Sequence, residues 1–210
     1  MAVVVIGGHS RNVGKTSVVA GLIAALPEYR WTALKITQYG HGVCSRNGES
    51  CHCATADHNW AISEEKDGSG GSDSSRFLTA GALRAFWVRT EQGRLAEAMP
   101  TVRRRLAEAE NVILESNSIL KFVRPDLYLT VLDPATADFK RSAREFLDQA
   151  DAVILHAPKA RSVDRKVMWT GISLKPVAGR PIFEIRPPEY VTEEIAEFVR
   201  SRVFERKPDL

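Results

Sequence analysis

The chain has 210 residues, 44% of them hydrophobic, which is enough to bury a continuous sheet in one α/β domain covering residues 1–210. Its net charge of +3 is too small to indicate a nucleic-acid partner. No apolar run is long enough to span a bilayer, and the first one has no basic leader, which argues against an export signal. Three cysteines without such a signal indicate free thiols. We therefore expect a cytoplasmic protein with no membrane partner and no nucleic-acid partner.

Seven strand-like runs follow one another along the chain, at residues 2–6, 31–37, 83–88, 111–114, 127–132, 152–155 and 181–185. Most are apolar throughout, which is typical of strands covered on both faces. Helical patterns lie between them at residues 15–26, 74–81, 91–110, 137–149 and 189–205, and Pro100 predicts a kink or break in the third. This alternation predicts a doubly wound, mostly parallel α/β sheet of about seven strands, with helices on both faces and ligands at the carboxyl ends of the strands.

Two connections are longer than a simple link. Residues 38–73 and 157–180 contain no predicted element, and both leave the sheet at the ligand-binding edge. The first includes a tract rich in glycine and serine at residues 67–73. Long loops in a compact domain are usually functional or disordered. We expect residues 38–73 to form a switch-like loop.

The first predicted strand runs directly into a phosphate-binding loop. The segment that begins at Gly7 and ends in Gly14-Lys15-Thr16 is followed by an apolar helical pattern, in the order that phosphate loops require. Successive loop N–H groups form an anion nest, Lys15 adds a mobile positive charge, and the Thr16 hydroxyl is suited to Mg²⁺. The predicted nucleotide-binding residues are Gly8, Arg11, Asn12, Val13, Gly14, Lys15, Thr16 and Ser17.

One residue distinguishes this loop from the usual form. Four residues normally separate the first glycine from Gly-Lys, but His9 stands at that position here. The nearest glycine is Gly8, so five residues separate it from Gly14. The loop is therefore one residue longer than the usual phosphate loop.

The loop and three other features resemble the dethiobiotin-synthetase branch of the P-loop nucleoside triphosphatases of the SIMIBI class. These features are Lys35 ending the second strand, the sequence Asp73-Ser74-x6-Gly81-Ala82 and a fourth strand that ends at Glu115. The branch is similar to the molybdopterin-guanine-dinucleotide B-type accessory proteins and to the nickel-insertion GTPases. The resemblance extends over about residues 1–156 in topology. It implies a Mg²⁺-dependent ATPase or GTPase that forms a homodimer, and it places a phosphate or substrate contact at Lys35.

Three residues are candidates for catalysis and Mg²⁺ binding beside the loop. Glu115 follows an apolar strand as a Walker B acid does, so its carboxylate is placed to order Mg²⁺ or its water. Asp73 either serves the same ion or caps the helix that opens at Ser74. Lys35 either meets a phosphate or substrate carboxylate at the sheet edge or points into solvent. We assign Lys15, Lys35 and Glu115 to catalysis and Thr16, Glu115 and Asp73 to Mg²⁺.

All the cysteines lie in the first long loop, together with three histidines: His41, Cys44, Cys51, His52, Cys53 and His58. Thiolate and imidazole select Zn²⁺ and related transition metals. Cys51 and Cys53 are spaced to chelate one ion, which Cys44 and His52 would complete, although free thiols in a polar loop remain the alternative. The nickel-insertion GTPases carry a Cys-His pair in an equivalent switch, and Cys51-His52 resembles that pair.

Base recognition is the point at which the GTPase resemblance weakens. Where those GTPases carry Asn-Lys-x-Asp, this chain has His156-Ala157-Pro158-Lys159, so ATP is slightly favoured over GTP. Three functions remain open. The first is a nucleoside triphosphatase that assists metallocofactor assembly with a partner protein, the second a ligase or kinase acting on a small carboxylated substrate, and the third a nucleotide-binding adaptor without catalysis.

Overall fold

The computed structural model describes residues 1–39, 59–157, 169 and 173–205. Its eight strands are β1 (Val3–Gly8), β2 (Trp31–Tyr39), β3 (Trp60–Glu64), β4 (Arg84–Glu91), β5 (Asn111–Glu115), β6 (Leu127–Leu132), β7 (Ala152–His156) and β8 (Ile182–Ile185). Five α-helices connect them: α1 (Lys15–Ala25), α2 (Asp73–Thr79), α3 (Leu95–Leu106), α4 (Arg141–Glu145) and α5 (Glu193–Val203). Single 3₁₀ turns form at Pro27–Tyr29, Ser118–Lys121, Leu147–Gln149 and Lys175–Val177.

The strands form one sheet in the order β3-β4-β2-β5-β1-β6-β7-β8. All neighbours are parallel except β3, which runs antiparallel to β4 at the edge. The sheet extends on both sides of β1, with β5, β2, β4 and β3 on one side and β6, β7 and β8 on the other, so the doubly wound, mostly parallel α/β fold predicted from the sequence is confirmed. The carboxyl ends of β1, β2 and β5 meet at one edge of the sheet.

Two apolar layers cover the sheet, one on each face. One layer packs α1, α2 and α5 against side chains such as Val4, Ile6 and Ile113. The other packs α3 and α4 against the alternate residues, including Val5, Leu34 and Leu114. Adjacent residues of each central strand are thus both buried, because side chains alternate between the two faces.

Residues 40–58 of the switch-like loop predicted at 38–73 lie outside the described residues, and in its described part the prediction of a continuous loop was wrong. β2 continues to Tyr39, so Lys35 lies inside a strand and does not end it, and β3 adds the eighth strand at Trp60–Glu64. Only Trp60 and Ile62 of β3 pack on the core, while Ala61 and Ser63 are exposed. Such a short, half-exposed edge strand has too few apolar residues to stand out from a polar segment.

Three predicted helices are shorter than expected. The helix predicted at 137–149 is confined to Arg141–Glu145 and the 3₁₀ turn at Leu147–Gln149, and the last one begins at Glu193. The helix predicted at 91–110 spans only Leu95–Leu106, because β4 extends to Glu91. Pro100 lies inside this helix and does not end it. In the described part of the chain, no helix is both long enough and apolar enough to cross a membrane.

Candidate functional site

The loop between β1 and α1 turns sharply just before the helix begins. Asn12 and Gly14 have φ values of 57° and 87°, so two residues just before Lys15 have left-handed backbone conformations. Gly14 is the N-cap residue of α1, and no side chain of the described residues caps this end of the helix. The N–H groups of the first turn therefore point out of the helix without side-chain partners and, with the helix dipole, favour an anion.

Lys15 bends back over the loop that precedes it. Its ammonium donates to the carbonyl oxygen of Ser10 at 2.6 Å, so this hydrogen bond joins the two ends of the loop segment 10–15. Burial lowers the pKa of Lys15, and the Glu115 carboxylate opposes that shift. A half-buried ammonium that is satisfied mainly by one neutral carbonyl would gain from an incoming anion.

Four side chains from four elements meet beside Lys15. The Thr16 hydroxyl donates to Glu115 Oε2 at 2.7 Å. The Lys35 ammonium lies 3.3 Å from Thr16 Oγ1 and 3.2 Å from Glu115 Oε1, and it also pairs with the Asp73 carboxylate. Lys35 and Glu115 are directly opposite each other on β2 and β5, which fixes the distance between their backbones.

The oxygen atoms around Lys35 have the composition of a Mg²⁺ site. One hydroxyl and two carboxylates surround a cation here, and the Glu115 side chain is only 6% exposed. Mg²⁺ prefers such hard oxygen ligands and usually keeps several waters. Within the described residues, no group of three or more His, Cys, Asp or Glu side chains is placed to hold a metal ion.

The N-terminus of α2 decides between the two roles predicted for Asp73, Mg²⁺ ligand and helix cap. The cap of this helix is Ser72, whose hydroxyl accepts the Ser75 N–H at 3.0 Å. Asp73 is the first helical residue, so its carboxylate is not the cap and is turned toward Lys35. The alternative that Asp73 caps the helix was therefore wrong.

Two side chains that sequence analysis did not identify as site residues form hydrogen bonds with the backbone of the phosphate loop. Asn117 makes a reciprocal pair with the backbone of Gly8: its amide oxygen accepts the Gly8 N–H and its amide nitrogen donates to the Gly8 carbonyl, both at 2.9 Å. A Cβ atom at Gly7 would lie 2.2 Å from the Asn117 amide oxygen, so the contact requires glycine there. On the other side, His156 Nε2 lies 3.0 Å from the Val13 carbonyl oxygen.

His9 and Ser10 fasten the loop to the segment between β6 and α4. The His9 ring is fully buried, with its centroid 5.2 Å from that of Phe139 and 4.9 Å from that of Trp169. Burial lowers the pKa of His9. The His9 carbonyl accepts the backbone N–H of Lys140 at 2.8 Å, and the Ser10 hydroxyl donates to Asp138 Oδ2 at 2.6 Å.

Lys140 thereby lies near two other positively charged residues, Lys15 and Arg11. Burial lowers its pKa to about 8, and the nearby charges of Lys15 and Arg11 act in the same direction. Motifs did not reveal Lys140, because it follows no recognisable pattern and lies far from the loop in sequence. Its place after a predicted strand was visible in the sequence, but the position of that strand next to β1 is known only from the structure.

A cleft of about 460 Å³ opens beside the start of α1. It lies between Ser17 and Gly21 of α1, Arg76 of α2 and the segment 188–191 that follows β8. The Arg76 guanidinium donates to the Ser17 hydroxyl at 3.0 Å. The Tyr190 ring lies over Gly14, where a Cβ atom would come within 2.4 Å of it.

The structure places the predicted residues as follows. The loop residues 8–17 form one continuous turn and helix start, with Arg11 and Asn12 exposed and Val13 buried. Thr16, Lys35, Asp73 and Glu115 are brought together as described above. The proposed transition-metal ligands Cys44, Cys51, His52 and Cys53, and the basic residues at 159–166, lie outside the described residues.

Three solved structures are similar to this chain. LpxK from Aquifex aeolicus in complex with ATP matches over 88% of this chain and 53% of its own, with 18% identity and a TM-score of 0.46. HypB from Helicobacter pylori in complex with nickel matches over 95% and 86%, with 16% identity and a TM-score of 0.48. MobB from Bacillus subtilis matches over the full length of both chains, with 16% identity and a TM-score of 0.38.

These structures are P-loop proteins, as the sequence resemblance suggested. The chain spans about half the length of LpxK. No protein-family model matches the chain, and no curated protein sequence matches it. At such low identities and TM-scores these likenesses support no conclusion about the chemistry of this chain, which follows from its own residues.

Proposed function

We propose that the chain binds a nucleoside triphosphate in the loop at residues 8–16, with Mg²⁺, and hydrolyses it. The observation that supports this most strongly is the convergence of Lys15, Thr16, Asp73 and Glu115 at the carboxyl edge of the sheet, next to an uncapped helix N-terminus. Positive charge and N–H groups face a phosphate from one side, and the hard oxygen donors lie on the other side.

Each residue has a separate role in this proposal. Loop N–H groups and Lys15 hold the terminal phosphate, and Thr16, Glu115 and Asp73 hold Mg²⁺, which neutralises charge on the phosphate oxygens when bound. Lys35, now paired with Asp73 and Glu115, is proposed to contact the terminal phosphate or a second substrate. In hydrolysis the water oxygen bonds to the terminal phosphorus in line as the bond to the bridging oxygen breaks, which gives the nucleoside diphosphate and phosphate.

We favour ATP slightly over GTP. His156, the last residue of β7, is bonded to the Val13 carbonyl, and neither Ala157, Pro158 nor Lys159 supplies the aspartate that reads guanine in the resembled GTPases. The cleft between α1 and the segment 188–191 has room for a nucleoside, but its lining does not distinguish the two bases.

Phosphate release with ATP and GTP, each with and without Mg²⁺, tests the proposal. We expect Mg²⁺-dependent release, faster with ATP, that Lys15→Ala abolishes. A matched control is Lys121→Ala, which removes a lysine that is 48% exposed and paired with Glu145 on the surface. Release that is equal in wild-type protein and Lys15→Ala would assign the activity to a contaminant or to another site.

We further propose a metallocofactor-assembly role for the cysteine-bearing loop, on the evidence of its sequence alone. Protein purified without an affinity tag should contain nearly one equivalent of zinc, nickel or iron, bound by Cys44, Cys51, Cys53 and His52. Cys51→Ser should lose most of it. Metal-free wild-type protein would contradict this part of the proposal without affecting the phosphate site.

The proposed assembly is a homodimer, on the ground of the sequence resemblance. Light scattering after size-exclusion chromatography, with and without the nucleotide, should return twice the 23.3 kDa mass of the chain. A monomer under both conditions would exclude it.

A further inference from the structure

A polar shelf continues the site beyond Lys35 on the same face of the sheet. We define it by Thr37 of β2 and by Trp87 and Arg89 of β4. Lys35 is directly opposite Trp87 and Thr37 is directly opposite Arg89, so all four side chains project from one face. α2 covers this face but begins at Asp73, at the level of Lys35, and the two strands continue past that point.

The shelf side chains lean toward the nucleotide site. The Trp87 indole N–H donates to Thr37 Oγ1 at 2.9 Å, so the ring crosses from β4 toward β2 and the carboxyl edge. The Arg89 guanidinium lies on this ring, with its Cζ 4.7 Å from the ring centroid. This cation–π contact holds the guanidinium on the Trp87 ring.

Arg89 lacks the polar partners that a half-buried arginine normally has. Among the described residues its Nε atom is buried without a hydrogen-bond partner, and no carboxylate forms a salt bridge with it. Arg84, on the same strand, is the useful contrast, since it pairs with Glu64 at 2.9 Å and Glu108 at 2.8 Å. A buried donor without a partner costs free energy, and an oxyanion would recover that cost.

Among the described residues, β3 places only small side chains next to Arg89 and Trp87. Ala61 and Ser63 are directly opposite Arg89 and Trp87 on β3, and both are small and exposed. A ligand can therefore approach Arg89 without displacing a large side chain of this strand. The ring and the Thr37 hydroxyl confine it on the opposite side.

We propose that Thr37, Trp87 and Arg89 bind an oxyanion, either a carboxylate or a phosphate, that belongs to a second substrate of the nucleotide site. This inference rests on the proposed function, because it places the second substrate beside Lys35 and the terminal phosphate. Arg89 supplies two parallel N–H donors, a geometry that matches both oxyanions. Trp87 sets the orientation of the guanidinium.

Anion titration of protein saturated with Mg²⁺ and a non-hydrolysable ATP analogue tests the inference, because the analogue blocks the phosphate loop. Acetate and inorganic phosphate are titrated separately at constant ionic strength, with tryptophan fluorescence and calorimetry as readouts. We expect saturable binding of at least one anion, weakened at least tenfold by Arg89→Gln and less by Arg89→Lys. Whichever anion binds more tightly identifies the chemical class.

Arg84→Gln is the matched control, since it removes an arginine from the same strand away from the shelf, and it should bind the anion as wild-type protein does. Equal anion affinity in wild-type protein and Arg89→Gln, or no saturable binding to either, would overturn the inference. If the analogue itself does not bind, the proposed function fails. The acetate titration of nucleotide-free wild-type protein and Arg89→Gln then tests the shelf independently.

Discussion

Lys140 is the residue whose position adds most to the phosphate site. Its backbone N–H is bonded to His9, and its ammonium is close enough to Lys15 and Arg11 for their charges to lower its pKa. Three cations held near one another repel, so the site is poised for an anion of high charge. We expect Lys140 to contact the phosphates of the nucleotide.

The pKa of Lys140 makes a specific pH dependence testable. With a pKa of about 8, Lys140 is mostly charged near neutral pH and mostly neutral above pH 9. A bound phosphate favours the charged form, so binding of the ATP analogue should weaken by about tenfold per pH unit as the pH rises above that pKa. Calorimetry across this range measures the slope.

Lys140→Met separates this contribution from that of Lys15. The variant should bind the analogue about tenfold more weakly at neutral pH, the cost of one charge-assisted hydrogen bond, and its affinity should fall less steeply with pH. Lys121→Met should behave as wild-type protein. An unchanged slope in Lys140→Met would show that Lys140 does not contact the phosphates.

The side chain of His9 accounts for the unusual spacing of the phosphate loop. Where the usual loop has a glycine, His9 packs its ring against Phe139 and Trp169, and its ring nitrogens lie 3.4 Å from the Val131 carbonyl oxygen and 3.2 Å from that of Thr136. The sequence showed the irregular spacing but not its cause, because these partners lie more than 120 residues further along the chain. Such contacts have no local signature.

At the scale of the elements, the end of β5 and the end of β1 are held together by Asn117. Its two hydrogen bonds to Gly8 fix the start of the phosphate loop relative to Glu115. Asn117→Ala would leave a buried N–H and a buried carbonyl without partners. We expect a loss of about 2–4 kcal/mol in the free energy of unfolding, together with weaker nucleotide binding.

Urea denaturation measures this loss, with Asn59→Ala as the control. Asn59 also donates to a side chain, Glu97 at 3.1 Å, but on the exposed surface, so its replacement should cost less than about 0.5 kcal/mol. Equal effects of the two substitutions would mean that the Asn117 contacts contribute nothing particular to the loop.

Some helices and strands could be predicted from the sequence and others could not. β1, the loop and α1 were recognised because their pattern is contiguous and the loop chemistry demands particular residues. β3 was not recognised and α4 was predicted too long, because a half-exposed edge strand and a helix of one turn have little periodicity. The grouping of Thr16, Glu115 and Lys35 was expected from the strand ends, whereas the pairing of Lys35 with Asp73 depends on where α2 begins.

At the scale of the whole molecule, the strand order explains why distant residues form one site. β1 lies between β5 and β6, and β2 lies beyond β5, so Glu115, Lys35 and the segment before Lys140 all reach the loop from neighbouring strands. The alternation of strands and helices predicted this convergence in general terms. It could not predict the strand order itself, which depends on contacts between remote parts of the chain.

We infer that the carboxyl edge of the sheet at β1, β2 and β5 binds a nucleoside triphosphate through Lys15. Calorimetric titration of wild-type protein and Lys15→Ala with Mg²⁺ and a non-hydrolysable ATP analogue measures this directly, and circular dichroism establishes that both are folded. We predict that Lys15→Ala binds the analogue at least about a hundredfold more weakly, equivalent to about 2.7 kcal/mol. Equal affinity in the two proteins, or no binding to the wild-type protein, would contradict the claim.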